Sequence, residues 1–133
     1  MSQENVEVVR RANELFSKGD WDGWAEHWDP EVVVTPPKGW PEGEEPQGIE
    51  AWRRQAQRLH DSWEEARAEV DEIRPVGDDQ VLARIRYVTR GRDTGMSFDT
   101  PMAAVFLLRD GRIVRAQYFW EYDDALEAAG LRE

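Results

Sequence analysis

Apolar residues recur at steps of three and four along the start of the chain, which is the spacing of an amphipathic helix. The first such helix is predicted to stop at Lys18-Gly19. Asp20 can cap a second helix, which Asp29-Pro30 would end. The residues at this spacing in the first helix are Val6, Val9, Asn13 and Phe16, which are apolar except for Asn13. In the second helix they are Trp21, Trp24 and Trp28.

A valine-rich run and a proline-rich stretch separate these helices from a third. Glu31 to Thr35 is rich in β-branched residues and predicts a short strand. Pro36 to Gly48 predicts a loop, which would serve either as a lid or rim of a pocket or as a mobile surface connection. A long third helix then carries the strongest periodicity of the chain, with Ile49, Trp52, Ala56, Leu59, Trp63 and Ala66 on one face.

The second half of the chain alternates in the manner of strands. Turn residues divide it into four runs, roughly Arg67 to Val76, Val81 to Arg90, Ser97 to Arg109 and Arg112 to Tyr122. Consecutive hairpins of this kind form an antiparallel meander. Helix-forming residues from Asp123 to Leu131 predict a short closing helix. Helices followed by strands predict an α+β fold with a curved antiparallel sheet, and we expect one domain over residues 1–133.

The Asp110-Gly111 turn predicts the register of the last hairpin, because a two-residue turn of this composition fixes strand pairing. It pairs Arg109 with Arg112. Unbroken alternation then places one set of residues on a common inner face: Pro101, Ala103, Val105, Leu107, Val114, Ala116, Tyr118 and Trp120. The row Val81, Ala83, Ile85 and Tyr87 must join it, because burying the alternating arginines unpaired would cost several kcal/mol per charge. Asp99 shares this inner parity.

The opposite, outer face then combines apolar and polar residues. An apolar centre with a charged rim is typical of a protein interface, so we predict a homodimer through this face, the alternative being a solvated surface. The predicted interface residues are Met102, Phe106, Arg115, Gln117 and Phe119. Alanines beside large aromatics on the inner face predict a cavity rather than a solid core, although the tryptophans could also fill that space.

Composition narrows the chemistry. The 133 residues include seven tryptophans and no cysteine, which excludes disulfides and cysteine nucleophiles and favours the cytoplasm. The net charge of −11 argues against nucleic acid, and no apolar run approaches the roughly 20 residues that span a membrane. The two histidines lack the spacing of a metal site, and no cofactor motif is present, so we expect neither metal nor cofactor.

Several motifs along the whole chain resemble one family. They are SQENVEVVRRANELFSKGDWDGW, DPEVVV with the proline-rich loop and GIEAWRR, LLRDGRIVRAQYF, and ALEAAGL. Together they resemble SnoaL-like proteins of the nuclear transport factor 2-like superfamily, which also contains ketosteroid isomerases. The resemblance implies a cone in which a curved sheet and covering helices enclose a hydrophobic pocket, commonly in a dimer. It does not imply one function, because this superfamily includes cyclases, epoxide hydrolases, dehydratases and non-catalytic proteins.

A comparison of individual positions with the family argues against ketosteroid isomerase chemistry and leaves other acid-base reactions open. The ketosteroid isomerase tyrosine and its two acids correspond to Ala12, to Thr35 or Pro36, and to Ala103, none of which matches. Cyclase-like and epoxide hydrolase-like members carry an acid near the end of the last strand, where this chain has Glu121. Alternation puts Glu121 on the outer face unless a bulge turns it inward. Asp99, Glu121 and His27 are the predicted catalytic residues.

Three functions remain open. The first is binding of a small, largely apolar or ring-shaped molecule in a pocket lined by Trp28, Trp52, Tyr87, Ala103, Tyr118 and Trp120. The second is cofactor-independent acid-base isomerisation, cyclisation or hydrolysis through Asp99 or Glu121 with His27. The third is an interaction scaffold whose dimer face is its function.

Overall fold

The computed structural model describes residues 2–40 and 45–131. Its elements match the predicted order of helices and strands. They are α1 (Ser2–Lys18), α2 (Trp21–Ala25), β1 (Trp28–Thr35), α3 (Ile49–Asp61), β2 (Glu65–Val76), β3 (Gln80–Arg90), β4 (Ser97–Arg109), β5 (Arg112–Phe119) and α4 (Tyr122–Ala128).

The two early helices meet at a corner that local chemistry explains. Gly19 takes a positive φ of 71°, which glycine adopts without a steric penalty. Asp20 then caps α2, because its Oδ1 accepts a hydrogen bond from the Gly23 N–H at 3.1 Å. The predicted extension of α2 to Trp28 is wrong. Trp28 instead begins β1, where it is paired with Ile113 of β5, so sheet pairing overrides the helical spacing.

The five strands form one sheet in the order β1-β5-β4-β3-β2. Strands β2 to β5 are the predicted antiparallel meander. The pairing of β1 with β5 is parallel and adds the N-terminal strand to the edge of the meander. Helices α1 and α3 pack against the sheet, so the predicted α+β fold with a curved, mostly antiparallel sheet is confirmed.

A bulge at Val114 changes which residues of β4 and β5 share a face. The turn pairs Arg109 with Arg112 and Leu108 with Ile113, as predicted, but Leu107 is paired with Arg115 rather than with Val114. One extra residue on β5 therefore shifts every later pair by one position. The unbroken alternation that we expected is wrong from this point onward.

The shift reverses the predicted faces of β4. Phe106 is only 1% exposed and its ring lies 6.4 Å from Trp28 and 6.0 Å from Tyr118, so it belongs to the inner core. Met102 packs against the same core. Ala103 belongs to a separate cluster on the outer face, together with residues of α4. The inner placement of the row from Val81 to Tyr87 on β3 is correct.

The outer face therefore differs from the predicted dimer surface. Met102 and Phe106 are not part of it, whereas Arg115, Gln117 and Phe119 are. Helix α4 covers the part of this face that carries Phe119, since Ala125 of α4 packs there and Phe119 is half-buried beside it. Assembly through this face stays a prediction. No helix within the described ranges is long and apolar enough to cross a membrane.

Candidate functional site

A cavity of about 90 Å³ lies between the inner face of the sheet and helices α1, α2 and α3. One buried water molecule needs about 10–15 Å³ of this volume, so the cavity is several times larger than a site for a single water. Among the described residues, 17 line it, and none of these is Asp, Glu, Lys, Arg or His. The described wall is therefore uncharged, inside a protein whose net charge is −11.

Tryptophans form a continuous part of the cavity wall. Trp24 of α2, Trp28 of β1 and Trp52 of α3 contact one another, with ring centroids 5.3 to 5.9 Å apart. Tyr118 of β5 continues this wall, its ring 6.3 Å from that of Trp52. Tilted and edge-on contacts at these distances hold aromatic side chains in defined positions. Four elements, α2, β1, α3 and β5, thus contribute to one aromatic surface.

Both tyrosines of the cavity keep their protons at neutral pH. Burial raises the pKa of Tyr118 and that of Tyr87 well above the ordinary value. The Tyr87 hydroxyl donates a hydrogen bond to the Leu59 carbonyl at 2.8 Å, which ties β3 to helix α3. Tyr118 and Tyr87 are therefore hydrogen-bonding groups of the wall rather than bases.

Two polar residues of the wall were missed by the sequence analysis as functional residues. Asn13 interrupts the apolar stripe of α1, and Gln55 lies between Trp52 and Leu59 on the apolar face of α3. Asn13 uses its Nδ2 to donate to the Val9 carbonyl at 2.9 Å. A polar residue within an otherwise apolar helical stripe was the signal that could have identified both.

The predicted pocket residues divide into two groups. Trp28, Trp52, Tyr87 and Tyr118 line the cavity. Ala103 lies on the opposite face of the sheet, so its predicted place in the pocket is wrong because of the bulge.

Trp120 lies beside the cavity rather than in its wall. It is 39% exposed, and its Nε1 donates to the Lys38 carbonyl at 2.8 Å. Its ring lies 5.9 Å from that of Trp40, which does line the cavity. Residues 41–44 of the predicted lid or rim lie outside the described residues. The segment 36–40 contributes Pro36, Pro37 and Trp40 to the lining.

The three predicted catalytic residues lie apart from the cavity lining. Asp99 is exposed on the outer face, contrary to its predicted inner parity, and binds Arg86 Nη1 at 3.0 Å. Glu121 is exposed at the N-cap of α4. His27 is half-buried between α2 and β1. Burial, helped by the charge of Arg11, lowers the pKa of His27. Their catalytic roles stay predictions.

The comparisons with known proteins agree with this architecture. The sequence profile of the SnoaL-like domain matches residues 9–116. Bal32a, from a soil-derived mobile gene cassette, is similar with a TM-score of 0.79 at 22% identity over 88% of each chain. A protein from Catenulispora acidiphila with a ketosteroid isomerase-like fold, solved with trimethylamine, has a TM-score of 0.74 at 17% identity, covering 95% of this chain and 94% of that one.

These two likenesses establish the fold alone. A third solved structure, IdmH from Streptomyces antibioticus, is a proposed polyketide cyclase. Its TM-score is 0.75 at 25% identity, over 86% of this chain and 89% of that chain. No curated protein matches the sequence. Within the described ranges, no group of three or more acidic, histidine or cysteine side chains is arranged to hold a metal ion.

Proposed function

The chain belongs to the SnoaL-like domain family, and from this premise we propose that it binds a small, largely apolar molecule in the cavity. The observation that carries the proposal is the lining itself, which is aromatic, uncharged and shared between three helices and the sheet. Apolar walls with few polar groups are typical of small-molecule sites. Because the aromatic rings already hold one another in place, binding a ligand should cost little side-chain conformational entropy.

The cavity favours binding over acid-base chemistry within its walls. A general acid or base must lie within hydrogen-bonding reach of the reacting atom and have a pKa near the working pH. Among the described residues of the lining, the titratable ones are Tyr87 and Tyr118, and burial moves the pKa of both away from neutrality.

A second candidate function is cyclisation of a flexible ligand, which the likeness to IdmH favours. A rigid aromatic chamber can hold a chain in the folded conformation from which a ring closes, and this lowers the entropic part of the barrier. Asp99 lies on the opposite face of the sheet, so in this proposal Glu121 or His27 would supply the proton transfer. Alanine at Glu121 and His27 should abolish ring closure, Asp99→Ala should leave it unchanged, and unchanged turnover in the first two variants would limit the protein to binding.

The binding proposal is tested by filling the cavity. Ala68 of β2 lines it, so Ala68→Phe should occupy the space that a ligand needs. The measurement is quenching of tryptophan fluorescence by a panel of uncharged ring compounds, and the variant should lose it. Ala128→Phe on the exposed side of α4 is the matched control and should bind as the wild type does. Equal binding by both variants, or no binding by the wild type, would refute the proposal.

A further inference from the structure

Gln55 is a buried polar side chain without a hydrogen-bond partner among the described residues. The residue is 5% exposed and lines the cavity. Its amide forms no hydrogen bond with any residue in the described ranges. An amide carries two N–H donors and a carbonyl acceptor, and leaving these unpaired inside a protein is costly. In native structures a group of this kind requires an explanation.

Other residues that line the cavity with Gln55 also have hydrogens to donate. The Tyr118 hydroxyl makes no hydrogen bond within residues 2–40 and 45–131. The indole Nε1 atoms of Trp28 and Trp52 are buried and lack a partner among the described residues. Trp52 precedes Gln55 by one helical turn and lies beside both Trp28 and Tyr118. The Gln55 amide and the Tyr118 hydroxyl are thus groups of the lining whose hydrogens a ligand can meet, whereas the two indole nitrogens are enclosed by the protein itself.

On the basis of the proposed function, we infer that the ligand carries an uncharged hydrogen-bond acceptor oxygen, of the ketone, ester or ether class, which the Gln55 amide binds. The Tyr118 hydroxyl is the second donor to this oxygen. A pure hydrocarbon would leave these donors unpaired on entering the cavity. One acceptor oxygen has two lone pairs, so it can accept a hydrogen bond from each of these two groups while the rest of the molecule fits the apolar wall. Gln55 therefore orients the ligand, while the aromatic rings supply contact area.

Charge selects against two other kinds of ligand. A carboxylate would find no cation among the described residues of the lining, within a protein of net charge −11. An ammonium ion has no lone pair with which to accept a hydrogen bond, so it would leave the Gln55 N–H groups and the Tyr118 hydroxyl unpaired. An uncharged acceptor matches both the charge and the donors of the site.

The test uses cyclohexanone and methylenecyclohexane, which have nearly the same shape but differ in the acceptor oxygen. Gln55→Leu should weaken cyclohexanone binding by about five- to tenfold and change methylenecyclohexane binding by less than about twofold. Gln57→Leu, on the same helix but outside the lining, is the matched control and should alter neither affinity. Gln55→Met repeats the test with a side chain of similar length.

A second readout follows the side-chain amide itself. In ¹H–¹⁵N spectra of the wild type, the Gln55 side-chain signals should move downfield with cyclohexanone and stay in place with methylenecyclohexane. If both compounds bind and Gln55→Leu and Gln55→Met weaken them equally or not at all, the acceptor assignment is refuted while cavity binding stands. If neither compound binds the wild type, cavity binding fails and the inference fails with it. Tighter binding of tetramethylammonium or cyclohexanecarboxylate than of cyclohexanone would also overturn it.

Discussion

The two faces of the sheet differ in how their polar side chains are paired. On the outer face, Arg86 binds Asp71 at 2.7 Å and Asp99 at 3.0 Å, and Arg67 binds Glu69 at 2.8 Å. All of these side chains are substantially solvated. On the inner face, the described residues of the cavity wall carry no charge, and the polar atoms of Gln55 and Tyr118 have no hydrogen-bond partner among them. Ionic pairs occur where water screens them, and unpaired neutral groups occur where a ligand could reach them.

This difference concentrates both stability and binding on the inner face. Exposed ion pairs contribute about 0–1 kcal/mol, whereas loss of a large buried aromatic side chain costs about 3–5 kcal/mol. The inner face should therefore control both folding and binding, and charge changes on the outer face should have small effects. Four substitutions test this contrast.

The largest effect should follow from Phe106→Ala on the inner face. Phe106 is 1% exposed and contacts Trp28 and Tyr118, so its loss should lower the free energy of unfolding by about 3–5 kcal/mol. Urea denaturation measures this value. Phe119→Ala, at a half-buried position on the outer face, is the matched control and should cost clearly less. Equal losses would contradict the reversal of faces by the bulge.

A smaller effect is expected beside the cavity. Trp120→Phe removes the hydrogen bond to the Lys38 carbonyl, which is worth about 0.5–1.5 kcal/mol, and weakens the support of Trp40. The amide of Trp40, which donates to the Pro37 carbonyl, should then exchange its hydrogen faster. Hydrogen exchange measures this rate. Trp63→Phe, whose ring contacts Phe98 instead, should leave it unchanged.

On the outer face, Arg86→Gln should lower the free energy of unfolding by less than about 1 kcal/mol despite breaking two ion pairs. The loss should shrink further in about 1 M salt, because salt screens exposed charges. Urea denaturation at two salt concentrations measures both values. A loss as large as that of Phe106→Ala would show that the ion pairs, and not the core, hold the sheet.

The smallest effect should be a pH dependence from His27. Burial, followed by the charge of Arg11, lowers its pKa in the folded protein below 6.5, so the unfolded state binds the proton more tightly. Stability should therefore fall as the pH drops below about 6.5, toward the lowered folded pKa. His27→Gln should remove this part of the slope. His60→Gln should retain it, and a steeper slope for His27→Gln would contradict the sign.

Much of the fold was predictable because alternation and turn residues are local signals. The arginines of β3 identified its outer row, since unpaired burial of that row would be too costly. The end of α3 was predicted too late, at Ala66 rather than Asp61, because the pairing of Ala66 with Thr89 draws that residue into β2. Pairing with a distant strand leaves no trace in helical spacing.

The faces of β4 could not be predicted for a related reason. Ile113 and Val114 are adjacent and both apolar, so alternation in either phase fits the segment. The structure shows which phase is adopted, because the bulge lies at Val114, but the sequence alone does not distinguish the two phases. This one residue moved Asp99, Ala103, Met102 and Phe106 to the opposite faces. In contrast, Gln55 was visible as a polar residue in an apolar stripe.

The parallel pairing of β1 with β5 also affects how the chain reaches its native state. The paired residues Trp28 and Ile113 lie 85 positions apart in the sequence. Strand β1 therefore cannot pair with β5 until most of the chain has been synthesised. Closing such a long loop is slow compared with forming the hairpins of β2 to β5. During synthesis Trp28 thus remains without its strand partner until Ile113 has been made. We therefore expect the edge that completes the cavity to form late in folding.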